Sequence, residues 1–90
     1  MREVTLRVKN QLGLHARAAA RLVRLASTFE STIMLRRIDS DASADARSIL
    51  SILQLAAAYG VEVTISAEGA DEEQAIAAVE QMFLDGFGET

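Results

Sequence analysis

The chain has 90 residues, half of them apolar and about a quarter charged, and its formal net charge is −4. That size and balance predict one soluble globular domain over residues 1–90. The lack of cysteine excludes disulfides and thiolate metal sites, and the acidic balance with few aromatics argues against a nucleic-acid binder.

No apolar run is long enough to span a membrane. The opening "MREVTLRVKN" lacks the apolar stretch of a signal peptide, so a cytoplasmic location is expected. Charge is unevenly placed. All nine basic residues lie in positions 1–47, while 48–90 carry acidic side chains and no basic one. Either these are solvated faces, or the N-terminal half meets an acidic or phosphorylated partner.

"VTLRVK" alternates, with Val4, Leu6 and Val8 on one face, and predicts a half-buried strand. "NQLG" is then a short loop in which Gly13 can take a backbone conformation that other residues resist. From Ala16 to Ser27 the period becomes helical. Ala19, Leu22, Val23 and Ala26 share the inner face, and Arg17, Arg21 and Arg24 line the outer one.

A second strand is predicted around Ile33 to Arg37, followed by the turn-forming "DSDASAD" with a short third strand near Ala42. "SILSILQLAAA" predicts a helix with Ile49, Ile52, Leu53 and Ala56 as its apolar stripe and Gly60 at its exit. "VEVTISA" is a strand again. "GADEEQAIAAVEQMFLDGFG" predicts a third helix that buries Ile76, Val79 and Phe83, with Asp71 and Gln74 as a capping box and Glu72 and Glu73 at the positive end. Met34 and Met82 are expected as core fillers. The order β-α-β-β-α-β-α, with polar-faced strands, predicts an α+β fold in which helices cover one side of a four-stranded, largely antiparallel sheet.

His15, the only histidine, falls where the first loop becomes a helix. Unpaired N–H groups and partial positive charge at a helix N-terminus favour phosphate. Imidazole is a nucleophile, and Arg17 can neutralise phosphoryl oxygens. The alternative is a plain surface or capping histidine. No orienting carboxylate is evident near it in the sequence, and there is no metal-ligand cluster and no Gly-rich nucleotide loop.

"NQLGLHARAA" (10–19) resembles the motif G-[LIM]-H-A-R-P-A of the HPr family, the phosphocarriers of the bacterial phosphoenolpyruvate:sugar phosphotransferase system. "RSILSILQLAAAYGVEVTISAEGADEEQAI" resembles the family's later segment. The resemblance implies an open-faced sandwich with sheet order 1-4-2-3 and three helices on one face. It implies that His15 accepts a phosphoryl group on Nδ1 from enzyme I and passes it to an enzyme IIA. Arg17 would stabilise the phosphate, the N–H groups of Ala16 and Arg17 would help hold it, and Gly13 would shape the loop. No cofactor is implied, and the carrier is expected to act as a monomer and as a substrate of transferases rather than as a catalyst.

Ala18 stands where the family has proline. Alanine keeps the helix, while loop rigidity is what that replacement puts in question. The "DSDASAD" turn, "NQLGLHAR" and "FLDGFG" resemble the nitrogen-type branch, NPr, whose members work in a regulatory phosphorelay. Ser48 matches the family's second phosphorylation site, the target of an HPr kinase/phosphorylase in some bacteria, and is also a good helix N-cap. By resemblance, the partner surface joins Ala20, Arg21 and Arg24 to Ile49, Leu50 and Leu53. The competing reading from another class is an interaction module that never carries phosphate.

Overall fold

The computed structural model describes residues 1–89. The strands are β1 (Arg2–Arg7), β2 (Thr32–Arg37), β3 (Ser43–Asp45) and β4 (Glu62–Glu68). The helices are α1 (Ala16–Ala26), α2 (Ile49–Leu55) and α3 (Glu72–Leu84), and a short 3-10 turn follows at Gly86–Gly88. All sheet pairings are antiparallel, in the order β1-β4-β2-β3. Element order, sheet order and the three helices agree with expectation.

Register follows from the alternation. Val4 faces Ile65, Leu6 faces Val63, Leu35 faces Ile65 and Ile33 faces Ala67. These residues form the inner face, and all but half-buried Val4 are buried. The opposite face carries polar pairs such as Thr5 and Thr64, whose hydroxyls lie 3.0 Å apart. A sheet with one apolar face needs cover on that side alone. Phe83, Leu22, Ile33, Leu35, Ile52 and Ile65 are its largest fully buried apolar side chains. Each such burial stabilises by roughly 1.5–3 kcal/mol.

Several expectations need correction. Met34 lies between two inward residues of β2, so it faces outward and is only half-buried; Met82 does pack against the core. The short third strand expected near Ala42 is present, at Ser43–Asp45. In α1 the buried residues are Ala18, Ala19, Leu22 and Ala26, with Val23 only partly covered.

In α2 the buried face is Ile52 and Leu55, while Ile49 and Leu53 are exposed. The helix ends at Ala56, which takes the left-handed conformation (φ 55°) without glycine's freedom, and Gly60 belongs to the next turn. Finally, Asp71 is the N-cap of α3 but makes no capping bond. Its carboxylate instead accepts from the amides of Glu30 (2.9 Å) and Ser31 (3.0 Å) and from the Ser31 hydroxyl. Those donors, the Ser31 hydroxyl foremost, hold the Asp71 carboxyl below its ordinary range.

Candidate functional site

His15 is the N-cap of α1. Its backbone is extended (φ −79°, ψ −176°) and its carbonyl accepts the helix's first hydrogen bond, from Ala19 N at 2.8 Å. Two neighbouring bonds place it. Leu14 N donates to Ala57 O at 2.9 Å, and Gly13 N donates to Asn10 O at 3.0 Å. Gly13 has φ +67° and lies so close to the α2–β4 connection that a Cβ there would sit 2.7 Å from Ala57 O.

That connection is itself anchored. Arg37 Nη1 donates to the carbonyls of Leu55 (3.2 Å) and Ala56 (3.0 Å) at the exposed end of α2. Its remaining guanidinium nitrogens grip Asp39 at 2.8 and 2.7 Å. The end of β2, the end of α2 and the histidine loop are thus linked through named bonds.

The two ring nitrogens of His15 face different environments. The Arg17 amide points at Nδ1 from 3.4 Å, a long contact that engages the lone pair only weakly. Nε2 lies 2.6 Å from Glu89 Oε2. The side chain of His15 is 25% exposed and that of Glu89 is 11% exposed. The first turn of α1 contains no acidic residue, so nothing within it opposes an anion. The N–H groups of Ala16 and Arg17 belong to the first turn, where helical amides lack intrahelical partners.

Glu89 supplies the orienting carboxylate that was not evident near the histidine in the sequence. It is 74 residues away in sequence. Its other oxygen, Oε1, accepts from Asn10 Nδ2 at 2.9 Å, and the same Nδ2 donates to Gly13 O at 2.7 Å. Asn10 is fully buried. Two oxygens meeting one nitrogen fix which way its amide points, because a flip would set its oxygen against both. The Asn10 amide, and then the His15 ring, hold the Glu89 carboxyl below the ordinary carboxylate range. Asn10 could have been read from the "NQLG" turn; Glu89 had no local signal.

The remaining expected residues fall around this centre. The Arg17 side chain is 66% exposed, with its guanidinium 4.0 Å from Glu89. Arg21 is half-buried and donates to the carbonyl of Phe87, so it is not simply a solvated residue. Arg24 is exposed and Ala20 half-buried. Ser48 caps α2, its Oγ accepting from Ser51 N at 3.2 Å. Ile49, Leu50 and Leu53 stand out from α2 with Leu12 nearby, and a shallow groove lined by Leu12, His15 and Leu53 joins them.

Comparison with known proteins gives consistent matches. The family model described as "PTS HPr component phosphorylation site" matches residues 2–85. Phosphocarrier protein NPr of Escherichia coli K12 is 39% identical over 85 residues, covering 94% of this chain and 93% of that one. Phosphocarrier protein HPr of Treponema pallidum is 42% identical over 85 residues, covering 94% of each. The crystal structure of HPr-C-His from Thermoanaerobacter tengcongensis superposes with a TM-score of 0.92 at 43% identity, covering 100% of this chain and 99% of that one.

Proposed function

From its place in the HPr family of phosphotransferase-system phosphocarriers, to which the chain belongs, we propose that His15 carries the phosphoryl group on Nδ1, taking it from phospho-enzyme I and giving it to an enzyme IIA. The observation that carries this reading is the asymmetry of the ring. Nδ1 has only a long contact to a helix amide, where the helix dipole favours phosphate, whereas Nε2 is already engaged. Transfer breaks the donor–phosphorus bond as the Nδ1 lone pair forms the new one, and the bonding pair leaves with the donor. Passing the group on reverses these roles. Arg17, largely exposed, offers its guanidinium to the phosphoryl oxygens, and the Ala16 and Arg17 amides hold the rest.

The chain acts as a substrate of larger transferases and not as a catalyst. Leu12 and Leu53 line a shallow groove with His15, Ile49 and Leu50 are exposed on the same short helix as Leu53, and Arg17 and Arg24 are exposed on α1. Such a surface suits docking on an acidic partner with an apolar centre. Among the described residues no helix is long and apolar enough to cross a membrane, and cytoplasmic partners fit the reading. A nitrogen-type relay would use the same chemistry with another enzyme IIA. Offering phosphorylated protein to IIA components of both types distinguishes the two.

Incubation with enzyme I and labelled phosphoenolpyruvate is expected to give an acid-labile, alkali-stable label that His15→Ala loses. An unlabelled wild-type protein, with competent enzyme I, sinks the proposal. Ser48 is a second modification site in the same reading. A phosphate there adds about −1.5 to −2 charge beside Ile49 and Leu50 and repels an acidic partner. An acid-stable label from ATP and the cognate kinase should disappear in Ser48→Ala; its persistence removes Ser48 from the account.

A further inference from the structure

The Gly86–Glu89 segment takes an unusual path to reach His15. Gly86, Phe87 and Gly88 have φ of 59°, 57° and 77°, three left-handed residues in a row. Two are glycines, for which this is easy, but Phe87 is not. A bulky residue held there costs on the order of 1–3 kcal/mol and persists only where its surroundings dictate it. Here they do. The Phe87 ring is 2% exposed and packs on Phe83 with centroids 4.9 Å apart, and Arg21 holds the Phe87 carbonyl. The outcome of the turn is the position of Glu89, clasped by Asn10 and set on Nε2.

Both ring contacts require one tautomer. A carboxylate can only accept, so Nε2 must carry the proton. A backbone amide can only donate, so Nδ1 must be bare. We propose that Glu89 is the positioning residue of His15: its carboxylate holds the ring with its proton on Nε2, leaves Nδ1 as the nucleophile, and keeps that Nε2 proton in place once Nδ1 is phosphorylated. This rests on the phosphocarrier reading above.

The consequence follows from charge. Phosphorylating Nδ1 while Nε2 keeps its proton gives the ring a positive charge, which the Glu89 carboxylate balances. When the phosphoryl group moves on, the electron pair returns to Nδ1 and the ring leaves as neutral imidazole, with no proton to find. Without the Nε2 proton the leaving group would be an imidazolate, which is far poorer. Asn10 supports this indirectly by fixing the other carboxylate oxygen.

The test uses the full chain with labelled histidine and two phosphoryl donors. One is phospho-enzyme I, and the other is phosphoramidate, a small donor that needs no docking surface. In the wild type an Nε2-bound proton should be visible by 1H–15N correlation before and after phosphorylation. Glu89→Ala should lose that signal and react with both donors about ten- to a hundredfold more slowly, the equivalent of one charge-assisted hydrogen bond. Glu89→Gln has one acceptor oxygen for two donors, so its rate should fall between. Arrival of the label at wild-type rate in Glu89→Ala, or an Nε2 proton in freely exchanging contact with water in the wild type, overturns the proposal. Failure of wild-type labelling by enzyme I would instead strike the carrier reading, and the Nε2 signal still decides the role of Glu89.

Discussion

Gly13→Ala is expected to destabilise the protein by about 2–5 kcal/mol. The residue has φ +67°, where a left-handed conformation costs an L-residue roughly 1–2 kcal/mol. The new methyl would also lie 2.7 Å from Ala57 O and 2.9 Å from Ala58 Cα. These are backbone atoms of the connection that receives the Leu14 amide, so they cannot step aside as a flexible side chain could. Overpacking of this kind adds about 1–3 kcal/mol. The check is urea unfolding, with a lower midpoint at unchanged slope. Because Leu14 and His15 hang from the same bond, phosphorylation should slow as well. An unchanged midpoint would show that Gly13 does not set the loop.

Arg17→Ala is expected to have the opposite profile, with the fold kept and transfer lost. The side chain is largely exposed, and its ion pair with Glu89 spans 4.0 Å. A pair this long, with its guanidinium in solvent, contributes roughly 0–1 kcal/mol, so the unfolding midpoint should barely move. In the proposed reaction, phosphoryl transfer concentrates negative charge on the oxygens beside Nδ1. Removing one charged donor to such developing charge slows reactions by about 10²–10³-fold. Arg17→Lys should recover only part of the rate, because a point charge replaces a planar fork. Stopped-flow transfer from phospho-enzyme I measures both variants, and normal kinetics in Arg17→Ala would refute the role.

Much of the fold was legible because its strands alternate strictly. Val4, Leu6, Ile33, Leu35, Val63 and Ile65 face the core as their period requires. The same period set Met34 outward, and reading it as a core filler neglected its neighbours Ile33 and Leu35. Helix α2 was harder for a physical reason. Its seven residues make barely two turns, and several of its apolar side chains stay in solvent, so hydrophobicity alone names no unique buried face. At α3, spacing suggested a capping box, but Asp71 found stronger donors in the Glu30–Ser31 backbone and the Ser31 hydroxyl. Local patterns cannot reveal such competition across the chain.

The site divides in the same way. His15, Arg17, Gly13 and the first-turn amides lie within a few residues, so motif and helix chemistry were enough to single them out. Glu89 comes from the far end of the described chain, and only the packing of Phe87 and the clasp of Asn10 bring it to the ring. The sequence pattern places the "GFG" ending in the third helix, which in fact stops at Leu84, so the turn that delivers Glu89 is not foreseen.

The central claim is that the phosphoryl group resides on Nδ1 of His15. Its most direct test is NMR of the phosphorylated, 15N-histidine-labelled protein, which reads which ring nitrogen is coupled to phosphorus. The account predicts phosphorus on Nδ1 with a proton retained on Nε2. Phosphorus on Nε2, the nitrogen that faces Glu89, or on a residue other than His15, would contradict it.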